Sequence, residues 1–236
     1  YFPDYGKYEE YSEANYETNI SDFQLVSYIL GRCATVDEVK AEIARVHIHG
    51  FDPRSSTVHW RFAEPSGRQI VLEIIDGKCV FYENKLGVLT NSPSFDWQLT
   101  NLNNYVNLLP GRTEPHTLGN MSLSSFGGGS AMIGLPGDFT PPSRFVRAAF
   151  FQSTAPQKPD AEGSVFTAFH ILGSMEIPIG AQFPVDETPA DIPSATQCTC
   201  VTDMSGLKFY YRSMYDGGIR CIDLKEIDFK KIGLKS

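Results

Sequence analysis

Gln69-Ile-Val-Leu-Glu-Ile-Ile75, then Asp76-Gly77, then Lys78-Cys-Val-Phe-Tyr-Glu83 reads as a β-hairpin, and it frames the rest of the chain. Both arms are rich in β-branched and aromatic side chains, which fit a pleated, half-buried surface. Asp-Gly between them is a favoured two-residue turn, because both turn positions need positive φ. Working outward, residues 57–63 form a preceding strand joined through Ser66-Gly67. Residues 87–90 form a short fourth strand that delivers Asn91 at its end. Residues 1–19 have no clean period and run into a helix. Ser21 with Gln24, and Thr35 with Glu38, have the spacing of capping boxes. Leu25, Tyr28 and Ile29, then Val39, Ile43 and Val46, recur at helical intervals behind them, so two short helices lie between Ser21 and His47.

Downstream, Phe95, Leu99, Leu102 and Tyr105 or Val106 fall on one side of a helix over 95–106. Residues 108–137 are Gly-rich and read as a long loop. A helix over 143–153 follows the Pro141-Pro142 pair, 165–172 belong to another, and 197–203, 208–213 and 218–223 close the chain as antiparallel strands. A strand meander, then helices, then a second meander predicts an α+β architecture with helices packed on sheets, in one domain over residues 1–236.

Composition narrows the function classes. The chain has 236 residues, 42% hydrophobic and 12% aromatic, enough to bury a core. Its 28 acidic and 20 basic residues give a net charge of −8, with no Lys/Arg-rich run, which argues against nucleic acid and anionic membrane as partners. No apolar run approaches the ~20 residues that span a bilayer, and the first residues show no signal-peptide pattern. Five scattered cysteines, an odd number, do not form a disulfide framework and fit a cytoplasmic setting, or a periplasmic one if a leader precedes the chain. Cys198-Thr-Cys200 places two thiols on one strand face and reads as small buried side chains, because no second ligand pair accompanies them. His47-Ile-His49 likewise lacks a third metal ligand. Gly127-Gly-Gly-Ser130 lacks the Gly-Lys-Ser/Thr ending of a phosphate loop and reads as a mobile loop at the site mouth. Gly-x-Ser-x-Gly is absent. No cofactor and no metal are expected.

Two segments carry chemistry. Leu89-Thr-Asn-Ser-Pro-Ser-Phe-Asp-Trp97, continuing to Asn101-Leu-Asn-Asn-Tyr105, puts the two N–H donors of Asn91 on an Asn-Ser-Pro turn, a way to aim a donor at a developing oxyanion. Leu135-Pro-Gly-Asp138, leading to Pro141-Pro-Ser-Arg-Phe-Val-Arg147, places Arg144 after a Pro pair that limits backbone freedom. Each has a plainer reading: a turn closed by Asn91, and a helix-start Arg144 paired with Asp138 or Glu114.

Both segments resemble the choloylglycine hydrolase and penicillin V acylase family of linear-amide C–N hydrolases. So do Tyr1-Phe-Pro-Asp-Tyr5 and Thr196-Gln-Cys-Thr-Cys-Val-Thr-Asp203 running into Lys208-Phe-Tyr-Tyr211, and the four segments occur in family order from Tyr1 to about Phe229. The resemblance implies an αββα N-terminal-nucleophile hydrolase sandwich, incomplete at its N-terminus, and a small-molecule amide as substrate. In that family an N-terminal Cys supplies sulfur and amine, and an early Arg and Asp support it. Tyr1 resembles an interior position, so the expectation is that the Cys lies in a missing N-terminal segment and that this chain alone hydrolyses neither penicillin V nor glycocholate. The resemblance assigns Asn91 and the backbone N–H of Tyr1 to the oxyanion hole, the Tyr1 ring to the acyl pocket, and Arg144 to favouring the thiolate, with Arg147 structural. It implies a homo-oligomer, often a tetramer, and substrates among phenoxyacetyl penicillins, conjugated bile salts and N-acyl homoserine lactones. A relative that only binds acyl ligands is the competing reading.

Overall fold

The computed structural model describes residues 1–52, 57–184, 186–187 and 195–231. They fall into two compact units, Tyr1–Thr154 and Ala155–Ser236. The first unit runs β1 (Asn19–Ser21), α1 (Asp22–Leu30), α2 (Val36–Ile43), β2 (His47–His49), β3 (Trp60–Ala63), β4 (Gln69–Ile75), β5 (Lys78–Glu83), α3 (Phe95–Asn101), β6 (His116–Leu118), β7 (Met121–Leu123) and α4 (Pro141–Thr154). The second has α5 (Ala161–Gly173) and an antiparallel meander of β8 (Cys198–Asp203), β9 (Lys208–Ser213) and β10 (Asp216–Asp223). Helices mixed with antiparallel sheets and one parallel pair, β1 with β2, make the α+β class.

The first unit is organised on β4. This strand lies between β3 and β5, antiparallel to both. Alternate residues of a strand face opposite ways, and here both faces are covered. Ile70, Leu72 and Ile74 pack with Leu25 and Ile29 of α1, with Val36, Val39 and Ile43 of α2, and with Ile48 and Trp60. Val71, facing the other way, packs with Val88, Phe95, Phe145 and Ala149. Burying each of these large aliphatic side chains contributes ~1.5–3 kcal/mol.

Both capping boxes form, at Ser21/Gln24 and Thr35/Glu38. The β4–β5 turn has Asp76 at φ 49° and Gly77 at φ 72°, as the Asp-Gly pair requires. The β3–β4 link is longer than a two-residue turn. Gly67 N–H donates to Glu64 O, Gly67 sits at φ 89°, and Glu64 N–H donates to Arg68 O, which is a three-residue turn with a glycine bulge.

Several expectations are corrected. The strand expected from residue 57 begins at Trp60, because residues 57 and 58 bond to the first residues of the chain: Phe2 N–H donates to Thr57 O, Thr57 Oγ1 to Phe2 O, and Val58 N–H to Tyr8 Oη. Residues 87–90 are not a strand. The Asn84 side chain takes the Gly87 N–H and donates to Val88 O, and the carbonyl of Thr90 meets His59, so side chains satisfy the backbone in place of a ladder. The helix of residues 95–106 tightens into a 3-10 turn over Leu102–Tyr105. The loop of residues 108–137 contains the β6–β7 hairpin, turned at Gly119, and a 3-10 turn at Ser130–Met132. α4 begins at Pro141 itself, where missing N–H groups cost nothing in a first helical turn.

In the second unit Asp160 caps α5 by accepting from Gly163 N–H at 2.6 Å. Glu176 accepts from Arg212 at 2.7 Å, and the Arg212 guanidinium lies 5.4 Å from the Phe169 ring centre. Cys198 and Cys200 are free and exposed, not buried as expected, because they occupy the outward face of β8.

Leu72 is fully buried against α1 and α2. Leu72→Ala is therefore expected to lower the unfolding free energy by ~2–5 kcal/mol, read as a lower urea midpoint at unchanged slope.

Candidate active site

Three segments of the first unit meet at Asn91. The first is Tyr1–Pro3. Phe2, wholly buried, anchors it through its backbone bond to Thr57. The second is the turn that follows Thr90, with the Ser92–Pro93 peptide in cis. The third is the start of α4, tied to the turn by a bond from Thr90 Oγ1 to Pro141 O at 3.1 Å.

Asn91 joins them. Its Nδ2 donates to the carbonyl of Tyr1 at 3.2 Å, and Ser92 Oγ donates to the carbonyl of Pro3 at 2.7 Å. Asn91 Oδ1 accepts from Arg144 Nη2 at 2.6 Å, and Arg144 Nε donates to Phe139 O at 2.9 Å. These partners orient the amide: a guanidinium only donates and a carbonyl only accepts, so Oδ1 must face Arg144 and Nδ2 must face Tyr1. Nδ2 carries a second hydrogen beyond the one given to Tyr1.

Arg144 does not pair with Asp138 or Glu114. Asp138 instead accepts from Thr140 N–H at 2.9 Å and from Ser143 Oγ at 2.7 Å, closing the turn before α4. Arg147, one turn along, is buried and donates from Nη1 to the carbonyls of Pro136 and Asp138, with its guanidinium 5.6 Å from the Phe139 ring centre. It fastens the loop that presents Arg144. Burial, and then the Arg147 charge, lowers the Arg144 pKa from its ordinary value. The Tyr1 residue itself is 60% exposed.

The structure brings Tyr1, Asn91 and Arg144 together. Sequence reading missed the layer beneath them. His59 is buried, with its ring stacked on Phe2 at 4.9 Å and 12°. Its Nδ1 lies 3.1 Å from Glu73 Oε1 and its Nε2 lies 2.9 Å from Thr90 O. Glu73, fully buried on β4, also accepts from Phe95 N–H at 2.9 Å. Gln98 Nε2 donates to Asn91 O at 3.4 Å. The one available signal was a charged residue inside the otherwise apolar run of β4.

The other candidates lie elsewhere. His47 Nδ1 contacts Glu9 Oε2 at 2.7 Å, and no group of three or more His, Cys, Asp or Glu among the described residues could hold a metal ion. Gly127-Gly-Gly-Ser130 is held by bonds from Gly129 N–H to Gly111 O and from Thr113 N–H to Ser130 Oγ. Among the described residues no helix is long and apolar enough to cross a membrane.

A strand covered on both faces and an amide clamped between Arg144 and Tyr1 define a class that the comparisons identify. Residues 1–235 match the model of the linear amide C-N hydrolases, choloylglycine hydrolase family, and the chain belongs to that family. The chain is 34% identical to the bile salt hydrolase/transferase of Clostridium perfringens over 226 residues, covering 93% of this chain and 67% of the relative. It is 30% identical to the penicillin V acylase of Pectobacterium atrosepticum over 228 residues, covering 87% of this chain and 53% of that protein. A crystal structure of a mutant conjugated bile acid hydrolase from Clostridium perfringens superposes with a TM-score of 0.83 at 32% identity, over 96% of this chain and 69% of that one. Penicillin V acylase from Agrobacterium tumefaciens shares the fold, with a TM-score of 0.70 at 23% identity over 94% of this chain and 61% of that one. The expected αββα N-terminal-nucleophile hydrolase class thus holds.

The turn at Asp138 yields a pH prediction. Hydrogen bonds from Thr140 and Ser143 hold its carboxyl at about 2, below the ordinary 3.8. A depressed folded-state pKa contributes stability that is present above the unfolded value and is lost as pH falls through the folded one. Asp138→Asn is therefore expected to melt below wild type at neutral pH, with the gap closing between about pH 4 and pH 2 in thermal melts.

Proposed function

We propose that this site hydrolyses a linear amide, with Asn91 Nδ2 and the Tyr1 backbone N–H as the oxyanion hole and Arg144 as the group that orients Asn91 and favours a thiolate. The observation that carries the reading is the Arg144–Asn91–Tyr1 chain of contacts, which holds an amide donor in one orientation before substrate arrives. In this proposal residues 1–236 act as the larger part of a single amidase domain.

The nucleophile is an N-terminal Cys carried outside these residues. Burial pushes the thiols of Cys33 and Cys79 up from their ordinary value, the opposite of what a thiolate nucleophile needs. The thiolate adds to the amide carbonyl carbon, and the oxyanion forms against Asn91 and Tyr1. The α-amino group of that Cys, which has taken the thiol proton, returns it to the departing amine as the C–N bond breaks, and water then adds to the acyl thioester, releasing the carboxylic acid and regenerating the thiol.

For the acyl group, the reading is an aromatic one such as phenoxyacetyl. Tyr1, whose carbonyl meets Asn91, is an exposed aromatic residue, and stacking on its ring is worth ~0.5–1.5 kcal/mol beyond burial. A second reading, conjugated bile salts, is favoured by the identity to bile salt hydrolases.

The catalytic part is tested with Asn91→Ala in the active enzyme, where kcat is expected to fall ~10²-fold or more while the melting temperature changes little. A kcat within about twofold of wild type would remove Asn91 from the oxyanion hole. The substrate part is tested by kinetics on penicillin V and glycodeoxycholate side by side. The expected outcome is a kcat/KM about ten- to a hundredfold higher for penicillin V. A higher value for the bile salt would establish the second reading.

A further inference from the structure

Along β4 the run Ile70–Ile75 is apolar but for one residue. Between Leu72 and Ile74 stands Glu73, fully buried on the face that carries Val71 toward α3 and α4. A carboxyl group there is costly unless its partners compensate it, and an aliphatic residue would serve packing alone better. The destinations of its hydrogen bonds show what it is for. Oε1 meets His59 Nδ1 and the Phe95 N–H. His59 passes the contact on through Nε2 to the carbonyl of Thr90. Thr90 and Phe95 are the residues at the two ends of the turn that carries Asn91, so one buried carboxyl and one imidazole bracket that turn from below.

The imidazole has a second contact. Its face stacks on Phe2, 4.9 Å away and nearly parallel. Phe2 lies between Tyr1 and Pro3, whose carbonyls accept from Asn91 and Ser92. One ring therefore touches both halves of the oxyanion pair, at one residue's remove from each. The carbonyl of Thr90 can only accept, so Nε2 of His59 carries a hydrogen and donates it, and one proton lies between Nδ1 and Glu73 Oε1.

We propose that His59 is a positioning residue for amide hydrolysis, holding Asn91 through Thr90, with Glu73 and the Phe2 ring locking the imidazole in place. The proposal rests on the reading of Asn91 and Tyr1 given above. The interaction is with unreacting groups, so its loss shifts the donors relative to the oxyanion and falls on kcat. Displacements of about 1 Å are enough to cost orders of magnitude in rate.

The test uses two variants in the active enzyme. The amide of Asn reaches the position of the imidazole Nδ1, and the amide of Gln reaches that of Nε2. His59→Asn keeps a partner for Glu73 and gives up the Thr90 bond; His59→Gln keeps a donor for Thr90. The expected result is a kcat about tenfold or more lower for His59→Asn with KM within about twofold, and recovery of most of that loss in His59→Gln. Equal kcat values per folded molecule for both variants and wild type would overturn the proposal, since a residue that only stabilises the fold moves the melting temperature alone. Should His59→Asn fail to fold, the double variant Glu73→Leu/His59→Phe is read by the same kcat criterion. It replaces both buried polar partners together and keeps a ring against Phe2.

Adding Asn91→Ala separates the two levels of the argument. If His59 acts through Asn91, His59→Asn lowers kcat no further in that background. A full additional drop there, with Asn91→Ala itself strongly impaired, overturns the positioning role and leaves the oxyanion assignment standing. An unimpaired Asn91→Ala overturns the assignment itself.

Discussion

A strand buried on both faces has to satisfy two cores with one alternation of side chains, and β4 carries that constraint here. Ile70, Leu72 and Ile74 serve the face under α1 and α2, while Val71 and Glu73 serve the face under α3 and α4. A register slip of one residue would exchange the two sets and bury Glu73 among the side chains of α1 and α2. The antiparallel pairing with β3 and β5 holds the register, with Trp60 opposite Leu72 and Ile74 opposite Cys79. The Asn91 turn depends on it, because the group that meets His59 and Phe95 is in place only when Glu73 points toward α3.

The polar site is therefore an outgrowth of the core. Asn91 is held from three directions: by Tyr1 on one side, by Arg144 on another, and by Gln98 and the His59–Glu73 pair beneath its backbone. α4 contributes through two arginines with divided work. Arg147 spends its donors on the carbonyls before the helix, and Arg144 reaches the amide. Burial disfavours both charges, the Arg147 charge adds to the cost at Arg144, and Asp138 offsets part of it at Arg147. An anion that developed beside Asn91 would relieve that cost, which is why a positively charged corner suits a reaction that makes an oxyanion.

Much of this was legible in the residues. The β4–β5 hairpin, both capping boxes, the helix after the Pro pair and the closing meander follow from local propensity and turn chemistry, which act within a few residues. Asn91 and Arg144 stood out because a turn and a Pro pair mark where side chains are presented. The short strand expected at residues 87–90 failed for a nonlocal reason. Its backbone groups are satisfied by Asn84 and His59, and no pattern within those four residues records those partners. The early start expected for β3 failed in the same way, through bonds between Thr57 and Phe2.

The sequence by itself determined the β4–β5 hairpin, the two capped helices, the helix after the Pro pair and the closing meander, since those properties arise from neighbours along the chain. Only the tertiary structure decided that Asn91 Oδ1 faces Arg144, 53 residues away, and that its nitrogen faces Tyr1, 90 residues away. It also decided that a histidine and a glutamate with no motif of their own lie beneath that pair. Orientation and burial are set by contacts between distant segments, and a hydrogen bond across such a distance leaves no periodicity to read.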